Sequence, residues 1–337
     1  MLAPTGRSRI LQIHPTRRCN LRCLHCYSLS GPNQREELSE EMLCSAIEDA
    51  SAEGYTVVSM SGGEPLLYEP LRAVLDKAHQ CGMVTSVATN GMLLDEKRLE
   101  RLQGGVDLLA ISVDGIPTSH DKMRSNPAAF KTMARCLPHV RQSGIPFGFI
   151  FTLTQHNLRE LPWVAEFALN QGAQLLQIHP LEEVGRASEC LSGSSPDTDE
   201  NAYAFLAATQ LDAHYRGRLK IQLDLVSRNM LVEDPKRYFV HQQDSSWEDE
   251  PLSELVSPLI IEQDGAVVPL QYGFSREYAL GSLYDAPFTT LAGQWRANKR
   301  RLFWELCQQG HKDITSSNTR LHNWYSTLSQ LGIGAAS

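Results

Sequence analysis

Short apolar runs alternate with amphipathic stretches through the first 180 residues. Runs at 10–15, 56–61, 84–90, 108–114, 146–154 and 173–181 are rich in Ile, Val, Leu and Phe, and their lengths suit strands. Helical periods lie between them. Ser39 caps one that continues to about residue 53, with Leu38 at the staple position and Glu40 and Glu41 at the positive end of its dipole. A second begins at Pro70, carries Leu71, Val74, Leu75 and Ala78 on one face, and stops near Gly82. Asp95 caps a short third helix, Asn126-Pro127 opens a fourth that Gly144 ends, and a fifth spans 158–171. Near-continuous apolar strands alternating with helices predict a parallel sheet covered by helices. Right-handed crossovers set those helices on one side and curl the sheet. The expected fold class is therefore α/β, a partial (β/α)6 TIM-like barrel; a doubly wound open sheet has the same periodicity.

The pattern loosens after residue 181. Residues 191–200 read as a surface loop, 201–215 as a helix, 220–226 as a strand and 247–250 as an acidic loop. The stretch 259–270 is a hairpin signal with Asp264-Gly265 at its turn. Helical periods follow at 291–309 and 318–331. This divides the chain into a barrel core, 1–215, and a small α+β C-terminal extension, 216–337.

Charge and composition narrow the class. A net charge of −8 with scattered Lys and Arg argues against a nucleic-acid surface. No run approaches a membrane span, and residues 1–9 lack an apolar signal core, so the expected location is the cytoplasm. Of the eight cysteines, Cys44, Cys81, Cys136, Cys190 and Cys307 are scattered, as buried thiols of a reducing compartment are.

The other three form the densest chemistry in the chain. Cys19, Cys23 and Cys26 make a C-x3-C-x2-C array in the loop after the first strand. Thiolates at such spacing hold an iron–sulfur cluster; with His14 or His25 as a fourth ligand they would also hold zinc. Three ligands on a cluster of four irons leave one iron open for a non-protein ligand.

Further unusual residues fall at the ends of successive strands, the rim where βα barrels build their sites. They are Gly62-Gly63-Glu64-Pro65, Thr89-Asn90, Ser112 and Asp114, then Thr152, Thr154 and Asn157, and finally His179-Pro180 and Gly185-Arg186. No G-x-S-x-G, H-E-x-x-H, P-loop or G-x-G-x-x-G run is present.

The array together with the Gly62-Gly63-Glu64-Pro65 run resembles the radical S-adenosylmethionine (SAM) superfamily. That resemblance implies one 4Fe-4S cluster on Cys19, Cys23 and Cys26, with SAM chelating the open iron. It implies reductive cleavage of SAM to a 5′-deoxyadenosyl radical that abstracts hydrogen from substrate, an oxidoreductase chemistry fed by an external donor such as flavodoxin or ferredoxin. Around the cofactor it implies Gly62, Gly63 and Glu64 near the SAM amine, Ser112 and Asp114 of the S-x-D-G run near its ribose and carboxylate, Arg124 near its carboxylate, and a weaker place for Asn90.

The late region resembles the SPASM or twitch extension of relatives with a T-R-R-C-N-L opening. Its hairpin stands at 261–270 and its Gly-x-Leu turn at Gly281-Ser282-Leu283. Leu270 occupies the position of a cluster-ligating cysteine, so the resemblance implies a scaffold without auxiliary clusters. The substrate implied is a ribosomal peptide or natural-product precursor. A radical SAM decarboxylase acting on a tetrapyrrole propionate or a nucleoside sugar acid is the alternative, and a non-catalytic metal-binding protein is the reading from another class.

Overall fold

The structure, a computed structural model, describes residues 9–239 and 250–334. Strands β1 (Ile10–Ile13), β2 (Val57–Met60), β3 (Val84–Thr89), β4 (Leu108–Ser112), β5 (Phe147–Leu153), β6 (Leu175–Pro180) and β7 (Lys220–Leu223) lie side by side in chain order, all parallel. A two-residue strand, β8 (Val226–Ser227), follows β7. The sheet continues beyond β1 with β9 (Leu259–Ile261), also parallel, and then with antiparallel β10 (Ala266–Pro269) and β11 (Gly281–Ser282). Far along the chain, β12 (Leu321–His322) returns to pair with β8.

Helices α1 (Glu40–Ala52), α2 (Leu71–Gln80), α3 (Glu96–Leu102), α4 (Pro117–Met123), α5 (Ala129–Ser143), α6 (Leu161–Gln171), α7 (Ala187–Cys190) and α8 (Thr198–His214) sit between successive strands. The later region adds α9 (Arg228–Glu233), α10 (Leu252–Leu255), α11 (Phe288–Asn298), α12 (Arg300–Ser316) and α13 (Trp324–Gly334).

The strands show a sharper period than their composition suggests. Leu11, Val58, Val87, Leu109, Phe149 and Leu176 are fully buried against the helical layer. Their neighbours Gln12, Ser59, Ser86, Ala110 and Gln177 are half-buried and mostly small or polar. Alternation puts this second set on the opposite face, the lumen of the partial barrel. Small polar residues there leave room inside the curl rather than filling it.

Several expectations shift. The expected division at 215/216 marks no break in the sheet, because β7 extends it at one edge and β9–β11 at the other. Six parallel strands become eight, since β7 and β9 join β1 to β6. The helix expected at 291–309 is two helices, broken at Lys299. The helix expected from 201 starts at Thr198, because Asp197 and Glu200 form a capping box. Helix α4 falls where no helix was expected, and the last helix starts at Trp324 rather than 318. Most of the acidic loop at 247–250 lies outside the described residues.

Candidate active site

The cysteine array leaves the C-terminal end of β1. Cys19 and Cys23 are buried and Cys26 half-buried, all three as free thiols. Each sulfur accepts from one donor of the chain. The Leu21 N–H lies 3.4 Å from Cys19 Sγ, the Ser30 N–H 3.3 Å from Cys26 Sγ, and Arg124 Nη1 3.7 Å from Cys23 Sγ. Burial, reinforced by the Glu64 carboxylate, pushes the Cys19 thiol up to about 12. Burial also raises Cys23, against the pull of Arg124. Thiolates in so buried a place need a cation beside them, and iron supplies one. Three sulfurs, each with its own donor, fit a 4Fe-4S cluster.

The histidines available for zinc serve other ends. His14 packs on Tyr272 and Tyr27, with ring centroids 4.9 and 5.7 Å away. His25 is held neutral, burial lowering it to about 4. Among the described residues no three His, Cys, Asp or Glu side chains converge on a single-ion site.

Most residues expected to touch SAM form a cage around the cysteine loop. At Gly62 φ is +103°, and a Cβ there would meet the Thr16 carbonyl oxygen at 2.7 Å. A Cβ on Gly63 would meet the Arg18 carbonyl oxygen at 2.2 Å. The Gly63 and Glu64 N–H groups donate to Thr16 and Arg18 at 2.8 and 2.9 Å. The close approach that glycine permits here is first of all to the cysteine loop.

Glu64 is fully buried, and its carboxylate accepts from Thr89 Oγ1 at 2.8 Å, from the Asn90 N–H at 2.9 Å and from the Leu66 N–H at 3.2 Å. It therefore ties the end of β2 to the end of β3. Asn90 Nδ2 in turn donates to Asn20 Oδ1 of the cysteine loop at 2.7 Å.

Asp114 is fully buried too. Its carboxylate pairs with Arg124 Nε at 2.6 Å, and its N–H donates to His120 Nδ1 at 3.1 Å. The pair aims the guanidinium at Cys23. Arg124, expected beside the SAM carboxylate, holds the Asp114 carboxylate on one side and the Cys23 sulfur on the other. Ser112 stands apart from this network, half-buried on the lumen face of β4.

Arg186, named at the rim without a role, closes the cage. Its guanidinium donates to the carbonyls of Cys23 and Ser30 at 2.7 and 2.9 Å, and its N–H donates to the Cys26 carbonyl at 2.9 Å. Gly185, at φ +60°, lets the backbones meet: a Cβ there would lie 2.3 Å from the Tyr27 carbonyl oxygen. Asn157 links the next loop, donating from Nδ2 to the Asp114 and Thr152 carbonyls at 3.1 and 2.8 Å. His120 and Asp224 were not singled out from the sequence. Neither lies in a motif, and only the folded chain brings them to the rim.

A barrel whose strand ends cage three cysteines is the architecture of an enzyme that binds its cofactor at an open cluster iron. Residues 13–168 match the model of the radical SAM superfamily, so this part of the chain is a radical SAM domain and the protein is a radical SAM enzyme. Along 82% of its length it is 27% identical to the Fe-coproporphyrin III synthase of Methanosarcina barkeri, covering 71% of that protein. Over 91% of the chain it is 26% identical to the pre-heme d1 synthase of Dinoroseobacter shibae, covering 80% of that protein. Among solved structures, Streptococcus suis SuiB bound to its precursor peptide SuiA superposes with a TM-score of 0.67 at 12% identity. That match covers 96% of this chain and 71% of SuiB, and SuiB has also been solved with SAM bound. At that identity the likeness shows the partial-barrel fold. The chemistry of the family uses a 4Fe-4S cluster and SAM. Among the described residues no helix is long and apolar enough to cross a membrane.

Proposed function

We propose that this enzyme abstracts hydrogen from a small carboxylated molecule of the tetrapyrrole kind, with Cys19, Cys23 and Cys26 holding its one cluster. The carrying observation is the end of the barrel mouth beside β6 and β7. There β12 pairs with β8, and Asn323 Nδ2 donates to Glu182 Oε1 at 2.8 Å. The C-terminal segment is thus tied to the chain just beyond the ends of β6 and β7. The relatives that match this chain over 82% and 91% of its length are named as tetrapyrrole enzymes.

When bound, the cluster and SAM supply an electron and the hydrogen-abstracting radical. The chain's residues do the rest. Arg186, the glycine turn and Asn90 fix the cysteine loop. Arg124 and two backbone N–H groups donate to the sulfurs and so set how readily the site takes an electron. The Gly62-Gly63 turn would hold the SAM ammonium, and Ser112 would hold the ribose. An external one-electron donor such as flavodoxin or ferredoxin completes the set, and the chemistry belongs in the cytoplasm.

A ribosomal peptide is the second reading, favoured by the fold shared with SuiB, which takes a precursor peptide. Anaerobic reconstitution with iron and sulfide should give about four irons per chain. Under reduction with SAM, iron-coproporphyrin III should stimulate 5′-deoxyadenosine formation. Stimulation by a precursor peptide instead would overturn the tetrapyrrole reading, and iron near twice the expected content would overturn the single cluster.

A further inference from the structure

The lumen holds a polar group that the cysteine cage does not use. His179 ends β6 and Asp224 follows β7, one step past the paired Ile178 and Leu223. His179 Nδ1 is joined to Asp224 Oδ2. Asp224 also accepts from Gln177 Nε2 at 3.2 Å and from Gln222 Nε2 at 3.1 Å. The carboxylate is thereby fully engaged, and the imidazole is fixed in rotation. With Nδ1 committed, Nε2 is the nitrogen left to face the lumen, and the side chain is 41% exposed.

Glu182 lies beside this pair, held by Asn323 from the C-terminal segment and by Gln271 from the loop after β10. Asp224 and Glu182 are the charged groups that face His179. Burial works against charge on the imidazole, but Asp224 prevails and raises it above its ordinary value. Burial likewise raises the Glu182 carboxyl. Both groups are therefore shifted toward forms that donate hydrogen bonds, an arrangement complementary to an anion.

The position is as telling as the chemistry. Arg186, seven residues beyond His179, holds the cysteine loop. Gln271 adjoins Tyr272, whose ring lies 5.4 Å from that of Tyr27 in that loop. The pair and the cysteine loop therefore stand at the same rim of the parallel sheet, at the C-terminal ends of β1, β6 and β7.

We propose that His179, oriented by Asp224 and flanked by Glu182, anchors a carboxylate of the substrate within reach of the cysteine loop. This deepens the reading of a carboxylated substrate and rests on it. His179 is the binding group and Asp224 a positioning residue.

The test uses the reconstituted protein under anaerobic conditions. Diethyl pyrocarbonate acylates neutral imidazole, and peptide mass spectrometry reads the rate at His179 alone. Propionate should slow that labelling several-fold, and methyl propionate should not. In Asp224→Asn the imidazole loses its carboxylate, so labelling at pH 6 should speed up, by about tenfold for each pKa unit lost, and propionate should no longer protect. Labelling that ignores propionate overturns the proposal whatever the true substrate is.

A second arm titrates iron-coproporphyrin III by its absorbance. Binding should weaken about tenfold in His179→Gln, with circular dichroism confirming the fold. Equal binding by wild type and variant overturns the anchoring role. Protection by propionate without porphyrin binding upholds the site and sinks the tetrapyrrole reading alone.

Discussion

Replacing Gly63 by alanine tests the claim that the glycine turn exists to seat the cysteine loop. The residue lacks the positive φ of Gly62, so alanine pays no backbone penalty there and the cost is purely steric. Its new Cβ would sit 2.2 Å from the Arg18 carbonyl oxygen, 2.7 Å from the Arg18 carbonyl carbon and 2.8 Å from that of Arg17. Ordinary contact begins at 3.4 Å, so turn and loop must part by about 1.2 Å, which is 3.4 minus 2.2. All three neighbours are backbone, and no side chain can swing aside. Overpacking of this kind costs about 1–3 kcal/mol, a part of a total stability of roughly 5–15 kcal/mol. The chain should fold, and the cysteines should be displaced by a distance that matters for metal ligation. Anaerobic reconstitution followed by iron assay and cluster absorbance should show less than half the wild-type content. Gly82→Ala is the control: φ there is +73° with nothing within 4 Å of the new Cβ, so it carries only a backbone cost of about 1–2 kcal/mol. A Gly63→Ala protein with full cluster content, or a Gly82→Ala protein that loses its cluster equally, would refute the reasoning.

Two further outcomes follow from the cage. Arg186→Ala removes two charge-assisted hydrogen bonds to loop carbonyls, each worth about 1.5–3 kcal/mol; the variant should reconstitute but lose iron to a chelator many-fold faster, and an unchanged rate would remove Arg186 from the cage. Burial works to raise the Asp114 carboxyl, but the Arg124 guanidinium prevails and holds it below the usual carboxylate range. Its stabilisation is therefore present above the unfolded pKa of about 3.9 and lost as pH falls through the lower folded value. Asp114→Asn should destabilise the metal-free protein by about 3–5 kcal/mol at pH 7, because Arg124 is left buried and unpaired. Urea midpoints of wild type and variant should converge at low pH, and a gap that stays constant would contradict the assignment.

The barrel was legible because each strand and helix carries its own local signal. Six apolar runs, the Ser39 and Asp95 caps and the Asp264-Gly265 turn are all readable over a few residues, and all appear in the fold. The cysteine loop was legible for the same reason. What the sequence could not tell was who touches whom. Glu64, Asp114 and Arg124 sit in runs that resemble cofactor contacts, yet their partners are Asn90, Cys23 and each other, across 26 and 101 residues of chain. His179 and Asp224 meet only because β6 and β7 lie in register. The break at Lys299 was hidden because both flanking helices keep one amphipathic period. Eight parallel strands read as six because 220–226 and 259–270 show as a strand and a hairpin but carry no local sign that they join β6 and β1 in one sheet.

The hairpin of β9 and β10 packs beside the cysteine loop. Leu270, at the end of that hairpin, is buried and joins the hydrophobic core. β9 pairs with β1, the strand that leads into the cysteine loop. The His14 N–H donates to the Ile261 carbonyl at 2.8 Å, at the point where the chain leaves the sheet for the array. Beyond Leu270, Tyr272 packs against both His14 and Tyr27, one at each end of the loop. The edge of a parallel sheet at β1 would otherwise expose unpaired backbone next to the site. The extension covers that edge and clamps the loop's entry and exit, so it supports the three cysteines by packing and hydrogen bonds.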